Sequence, residues 1–333
     1  MRTASFTIEA TRGGGIESAH RIHAIVADRH GRLDTWGDRE RPTIPRSAIK
    51  TIQAIPILTS GAGDACGVSE EELALACASH SGETEHVEAV MSWLDRIGLA
   101  EADLECGPDL PLGKAARRAA FTHGTEASPI FNCCSGKHAG FLAVARYLGH
   151  PTAGYIDRES PTQHLVTEAL ATFTDLDLDS MVSGIDGCGI PVFALPLERL
   201  AFAMARLVDP VDLPEPEATA TVPVVSAAQR AFWVSGTGRT ETKLAARATE
   251  PVVAKAGAEG VFMAALPDRG LGMVVKAEDG TARASHLAIT GLLSRLGAIA
   301  IDGEMAAQVL TNKAGTEIGE MRAVIDSPER AQI

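Results

Sequence analysis

Strand-forming sequence stands at the two ends of the chain with helix-forming sequence between them, and no other feature restricts the fold as much. Near the N-terminus, HRIHAIVADRHGRLDTWGD carries an alternating apolar run from Ile22 to Ala27, a turn at Arg29-His30-Gly31, and a second run ending at Trp36-Gly37-Asp38. That is the pattern of a hairpin. Near the C-terminus, EGVFMAALPDRGLGMVVKAEDG holds two β-rich runs joined by Pro267-Asp268-Arg269-Gly270, again a hairpin. HLAITGLLSRLGAIA behind it has helical periodicity. These segments predict an α/β fold: one antiparallel sheet built from both chain ends and flanked by helices, with a mostly helical insertion. The sheet part covers roughly 1–46 plus 245–333 and the helical part roughly 47–244, within a single unit of 333 residues.

The middle of the chain signals where its helices start. Ser69 with Glu72 predicts a capping box ahead of EEELALACAS, and Ser160-Pro161-Thr162-Gln163 predicts another with proline at the first helical position. TEHVEAVMSWLDRIG, residues 84–98, has apolar residues at helical spacing. VDPVDLPEPEATATVP, residues 208–223, is acidic and proline-rich and reads as a surface loop or linker. TRGGG at 11–15 reads as a tight bend rather than a phosphate cradle.

Composition narrows the partners. A hydrophobic content of 45% suffices for a full core, and the net charge of −13 argues against nucleic acid or an anionic membrane as partner. No apolar run reaches the roughly 18–20 residues of a membrane span, and MRTASFTIEATRGGG lacks the apolar core of a secretory signal. A cytoplasmic setting is therefore expected. Six scattered cysteines are too few for a disulfide scaffold in a chain of this length.

Two constellations can carry chemistry. In RSAIK, Ser47 and Lys50 stand at i and i+3, on one face of a helix. A lysine made neutral by burial or by a second cation can take the serine proton. Ser-x-x-Lys also recurs by chance at solvated helix starts. Its place here, behind a hairpin and at the opening of a helix, is where penicillin-recognising serine enzymes carry theirs. Such enzymes need a second hydroxyl and a second lysine on an edge strand. ASHSGE offers Ser79 and Ser81, and AKAGAEG places Lys255-Ala256-Gly257 before the C-terminal hairpin, with alanine where threonine or serine is usual. Read singly, Ser79 is a helix end and Lys255 a loop lysine; in this order the three make a layout.

The second constellation is CCSGKHAG with GIDGCGIP. Cys134 and Lys137 share a helical face, and Asp186 and Cys188 fall in a glycine-rich turn. Thiolates are good zinc ligands, and a metal can drive the loss of a lysine proton. Spacing alone leaves this open against buried thiols and a lysine near a helix start. Other motifs fail on detail. DLDLDS (175–180) lacks the glycine and glutamate of a calcium loop, and GTGRTETK (236–243) does not place lysine directly after its second glycine.

As an ordered set, TRGGGIESAH, RSAIK, ALACASHSGE, CCSGKHAG, GIDGCGIP and AKAGAEG resemble the Rhizobium etli-type L-asparaginases along nearly the whole chain. The resemblance implies a fold like that of serine β-lactamases and glutaminases. It implies Ser47 as nucleophile with Lys50 as its base, and Ser79 paired with Lys255 in a second couple that moves protons. It also implies zinc held by Cys134, Lys137 and Cys188 with water as fourth ligand. Asp186, Arg46 and His80 become expected substrate contacts, and Ala258 an expected backbone donor to the oxyanion beside Ser47.

The expected reaction is hydrolysis of the asparagine side-chain amide to aspartate and ammonia through an acyl-enzyme. Glutamine differs by one methylene, which a pocket separates by only about 1–3 kcal/mol, so glutaminase activity is an alternative. A β-lactam- or peptide-acting acyl-enzyme and a non-catalytic zinc-binding protein are the others. The partner is a small molecule, with neither nucleic acid nor membrane, and the expected assembly is a homodimer.

Overall fold

The structure is a computed structural model and describes residues 4–300 and 307–333. Its contacts divide the chain into a sheet unit, residues 1–48, 195–209 and 244–333, and a helical unit, residues 49–194 and 210–243.

The sheet unit holds β1 (Phe6–Arg12), β2 (Gly15–Asp28), β3 (Arg32–Trp36), β4 (Val253–Ala256) and β5 (Val261–Leu266). It continues with β6 (Leu271–Ala277), β7 (Ala307–Thr311), β8 (Glu317–Ile325) and β9 (Glu329–Gln332). All pair antiparallel in the order β7-β8-β1-β2-β6-β5-β4, while β3 pairs with both β2 and β9. The expected α/β architecture, a sheet built from both chain ends, is thus present. TRGGG is the β1–β2 turn, with Gly13 at φ +56° and Gly14 at φ +82° between the paired Arg12 and Gly15. A two-residue hairpin turn favours positive φ at both positions. Strands β7 to β9 extend the sheet beyond the last segment read from sequence; they are largely exposed, which weakens their apolar alternation.

Phe6, Ile8 and Ala10 of β1 and Ile22, Ala24 and Val26 of β2 share one core with Leu287, Leu292 and Leu293 of helix Ala282–Arg295. Helix Leu197–Val208 packs on β2, β5 and β6. It lies so close that a Cβ on Gly272 would fall 2.2 Å from the Ala201 carbonyl oxygen. Residues 195–209 therefore belong to the sheet unit, which corrects their expected place in the helical part. The cause is the apolar stripe of that helix (Leu197, Leu200, Ala201, Met204), all fully buried.

The helical unit is organised around helix Ser135–Leu148, whose residues from Ser135 to Ala145 are all buried. Helices Ile55–Thr59, Glu70–Ala76, Thr84–Arg96 and Pro161–Thr174 pack around it. Ser69 and Glu72 form the predicted reciprocal capping box. Ser160 accepts from the Gln163 N–H, but the Gln163 amide donates to the Tyr155 carbonyl instead, so only half of that box forms. Most of the stretch read as a linker is part of helix Glu215–Ala228. Pro216 lies in the first turn, where the missing N–H costs nothing. Ala220, Val224, Ala227 and Ala228 bury a stripe that carries the helix through Pro223. No described helix is long and apolar enough to cross a membrane.

Candidate active site

Ser47 stands in the 3-10 turn Arg46–Ile49, which passes directly into helix Lys50–Gln53. Arg46 opens the turn at φ +51°, a left-handed conformation that costs a non-glycine residue about 1–2 kcal/mol. The turn is closed by the Ala48 N–H donating to the Pro45 carbonyl at 3.1 Å. Ser47 itself is half-buried. The loop after β4 lies against this turn. A Cβ on Gly257 would fall 2.6 Å from the Pro45 oxygen and 3.1 Å from the Ala48 nitrogen, so only glycine permits that approach. Lys255, at 0% exposure, donates to the Ala256 carbonyl at 2.6 Å. Neither the Ser47 nor the Ala258 N–H donates to an acceptor among the described residues.

In the helical unit the reactive side chains converge on Cys134. Lys50, fully buried, donates to the Ala78 carbonyl, to Ser79 Oγ at 3.1 Å and to Cys134 Sγ at 3.1 Å. Ser79 is fixed by its own N–H on the Val234 carbonyl at 2.9 Å. Lys137 Nζ lies 3.1 Å from Cys188 Sγ, and the Cys133 and Cys134 sulfurs are 3.9 Å apart. None of the six cysteines forms a disulfide. The loop presenting Cys188 is shaped by Asp186. Its N–H donates to the Ile190 carbonyl, its carbonyl accepts from Gly189 and its Oδ1 accepts from the Gly187 N–H at 2.8 Å.

These contacts set the charges. Hydrogen bonds from Cys133 and Cys188, with Lys50 and Lys137 nearby, hold the Cys134 thiol well below its ordinary pKa. Cys188 is pushed up by its hydrogen bond to Cys134 and by burial, because a second thiolate must form beside the first. Burial opposes the Lys50 ammonium, yet the charge of Cys134, with Cys133 and Cys188 behind it, outweighs burial and raises its pKa.

The donor set fits a thiophilic divalent cation. No group of three or more histidine, cysteine or carboxylate side chains able to hold a metal occurs among the described residues; beside the thiols, Lys137 is the further nitrogen donor at hand. Tetrahedral ligands at about 2.3 Å for sulfur and 2.0 Å for nitrogen stand ~3.5 Å apart, and Lys137 and Cys188 at 3.1 Å are close to that. All three donors are at most 5% exposed.

The His80 ring, expected at the substrate, is completely buried, with Nδ1 accepting from the Gly82 N–H and Nε2 on Ser135 Oγ at 2.8 Å. Burial, with His86 and Lys50 nearby, lowers its pKa to about 3, which keeps the ring neutral. Asn132 was missed. Its Oδ1 accepts from the Cys134 N–H at 2.9 Å and its amide donates to the Cys106 and Gly107 carbonyls. An asparagine just before a helix start was the available signal.

The sequence profile of the L-asparaginase II family matches residues 8–323. No curated protein matches the sequence. Solved structures similar to the chain include Mglu in its tris and glutamate form, 17% identical, with a TM-score of 0.40 over 87% of this chain and 63% of that one. A Bacillus glutaminase is 15% identical, with a TM-score of 0.39 over 84% of this chain and 92% of its own. A β-lactamase from Mycobacterium bovis is 16% identical, with a TM-score of 0.41 over 84% and 95%. The chain thus spans less than two thirds of the length of Mglu in that form, and likeness this distant decides nothing about its chemistry.

Proposed function

This chain belongs to the L-asparaginase II family, and from that premise we propose that it hydrolyses the side-chain amide of L-asparagine through an ester on Ser47. The Ser47 hydroxyl attacks the amide carbon as its proton passes to the Lys50 amine. The carbon–nitrogen bond then breaks, ammonia leaves with a proton, and a β-aspartyl ester remains. Water cleaves the ester, releasing aspartate and restoring Ser47. Negative charge on the amide oxygen is met by the N–H groups of Ser47 and Ala258, a backbone pair that acts only once that charge develops. Arg46 and Asp186 take the charged amino-acid end of the substrate, Asp186 its α-amino group. Ser79 and Lys255 carry the protons that ammonia and water exchange.

Cys134, Lys137 and Cys188 would hold zinc. When bound, zinc would supply positive charge against the thiolates that otherwise keep the proton on Lys50. The observation that carries the reading is Lys50. This completely buried amine, three residues past Ser47, is bonded at once to a second serine and to a cysteine sulfur.

The test is ammonia release from L-asparagine by zinc-replete protein and by Ser47→Ala, with L-glutamine in parallel. The expected result is turnover of asparagine that falls by about 10³-fold or more in the variant while its thermal unfolding is unchanged. Equal turnover by Ser47→Ala, or none by the parent, overturns the reading. Elemental analysis should find zinc stoichiometric with the chain and absent from Cys188→Ser.

A further inference from the structure

The turn that carries Ala258 adopts a backbone its sequence does not favour. Gly257, Ala258, Glu259 and Gly260 join β4 to β5, with Glu259 at φ +56° followed by Gly260 at φ +69°. Glycine takes that region freely, but a side chain there crowds the following carbonyl. Glu259 therefore needs an outside hold. The Gly257 N–H donates to the Val261 carbonyl at 2.9 Å and the Ala277 N–H to the Gly260 carbonyl at 2.8 Å; these fix the ends of the turn. Lys276 grips its middle, donating to the Glu259 carbonyl at 2.5 Å.

The same ammonium donates to the Ala277 carbonyl at 2.9 Å. That ties the turn to β6, a strand paired on both edges by β2 and β5. Lys276 is half-buried, and burial together with the charge of Arg41 lowers its pKa. On the other side of the turn Gly257 has no slack against Pro45 and Ala48. Inside the turn the Val261 N–H reaches the Ala258 carbonyl at 3.4 Å, so the direction of the Ala258 N–H depends on that long bond and on what holds Glu259.

We propose that Lys276 is a positioning residue of the oxyanion-binding turn: by holding the Glu259 carbonyl it keeps the Ala258 N–H aimed where the substrate oxygen becomes negative. This rests on the roles given above to Ser47 and Ala258 and adds a residue that touches neither substrate nor nucleophile.

Lys276→Met keeps an unbranched stem and removes the donor. Because the oxyanion exists only in the transition state, kcat should fall by about tenfold or more while KM for asparagine stays within about threefold. Adding Glu259→Gly makes the left-handed backbone free and should restore kcat to within about threefold of the parent, a rescue that a merely structural lysine would not show. Hydrogen exchange reads the clamp without turnover: the Gly257 amide should exchange about tenfold faster in Lys276→Met. An unchanged kcat, a loss carried by KM, or a double variant no better than the single overturns the proposal. Should Lys276→Met not fold, Lys276→Arg, which displaces the donors, is read by the same criteria. If the parent itself releases no ammonia from asparagine, the function fails on its own account. Exchange then decides the clamp, faster exchange upholding it and unchanged exchange overturning it.

Discussion

Lys50 and Lys137 in the helical unit and Lys255 in the sheet unit are buried to the same degree, at 0%, 1% and 0% exposure, yet they meet different kinds of group. In the helical unit the amines meet the sulfurs of Cys134 and Cys188 and the hydroxyl of Ser79, besides one backbone carbonyl. In the sheet unit Lys255 and the half-buried Lys276 donate to the carbonyls of Ala256, Glu259 and Ala277. A thiol can ionise, whereas a peptide carbonyl cannot. The amines of the helical unit thus bear on groups that can change charge, while these bonds of Lys255 and Lys276 hold backbone in place.

Removing an amine from the adjustable side tests the difference hardest. Lys50→Met should lower kcat by about 10³-fold or more, measured as ammonia release from asparagine at saturating zinc. Retention of even a tenth of the activity would mean that the buried amine serves packing alone. Next come two glycines that let backbones touch. An alanine Cβ at Gly257 would lie 2.6 Å from the Pro45 oxygen, and one at Gly136 2.6 Å from the Leu75 oxygen. Both substitutions should cost about 1–3 kcal/mol in denaturant unfolding. Gly257→Ala alone should also depress kcat in the fraction that stays folded, because it displaces the Ala258 turn.

Ser69→Ala removes the capping hydroxyl of helix Glu70–Ala76. It should cost about 1 kcal/mol and leave kcat/KM as it was, as the helical unit's control. The smallest effect belongs to Asp279. Its slight burial opposes ionisation, but the hydrogen bonds with His20 and Thr281 hold its carboxyl down at about 2. A depressed carboxylate stabilises the fold above its unfolded pKa of about 3.9, and that contribution fades as pH falls toward 2. Asp279→Asn should therefore be slightly less stable than the parent above pH ~4 and equal to it at about pH 2 by urea unfolding.

Local chemistry was legible and long-range convergence was not. The Ser69 box, the Pro267–Gly270 turn and the TRGGG bend each depend on a few neighbouring residues, so their signal is complete within the segment. Pro216 and Pro223 were misread because composition counts prolines without regard to where a helix begins. Residues 195–209 were placed with the wrong unit because an amphipathic helix does not say which surface it covers. Nothing in spacing announces that Lys50 meets Cys134, 84 residues on. Lys276 gave no motif at all: its partner is a carbonyl, and carbonyls have no letter in the sequence.

The pairing of Ile8 with Ala323 also has a meaning in time. At about 5–20 residues per second on the ribosome, β1 would wait roughly 15–60 s for β8 after it was made. Through that interval one edge of β1 would have no mate, the state in which strands adhere to other chains. Residues 49–194 form most of the helical unit and are synthesised while the wait lasts, so their helices can collapse first. Of the two units the sheet would be completed later, and a stop codon shortly before Glu317 should give aggregates in place of a weakened enzyme.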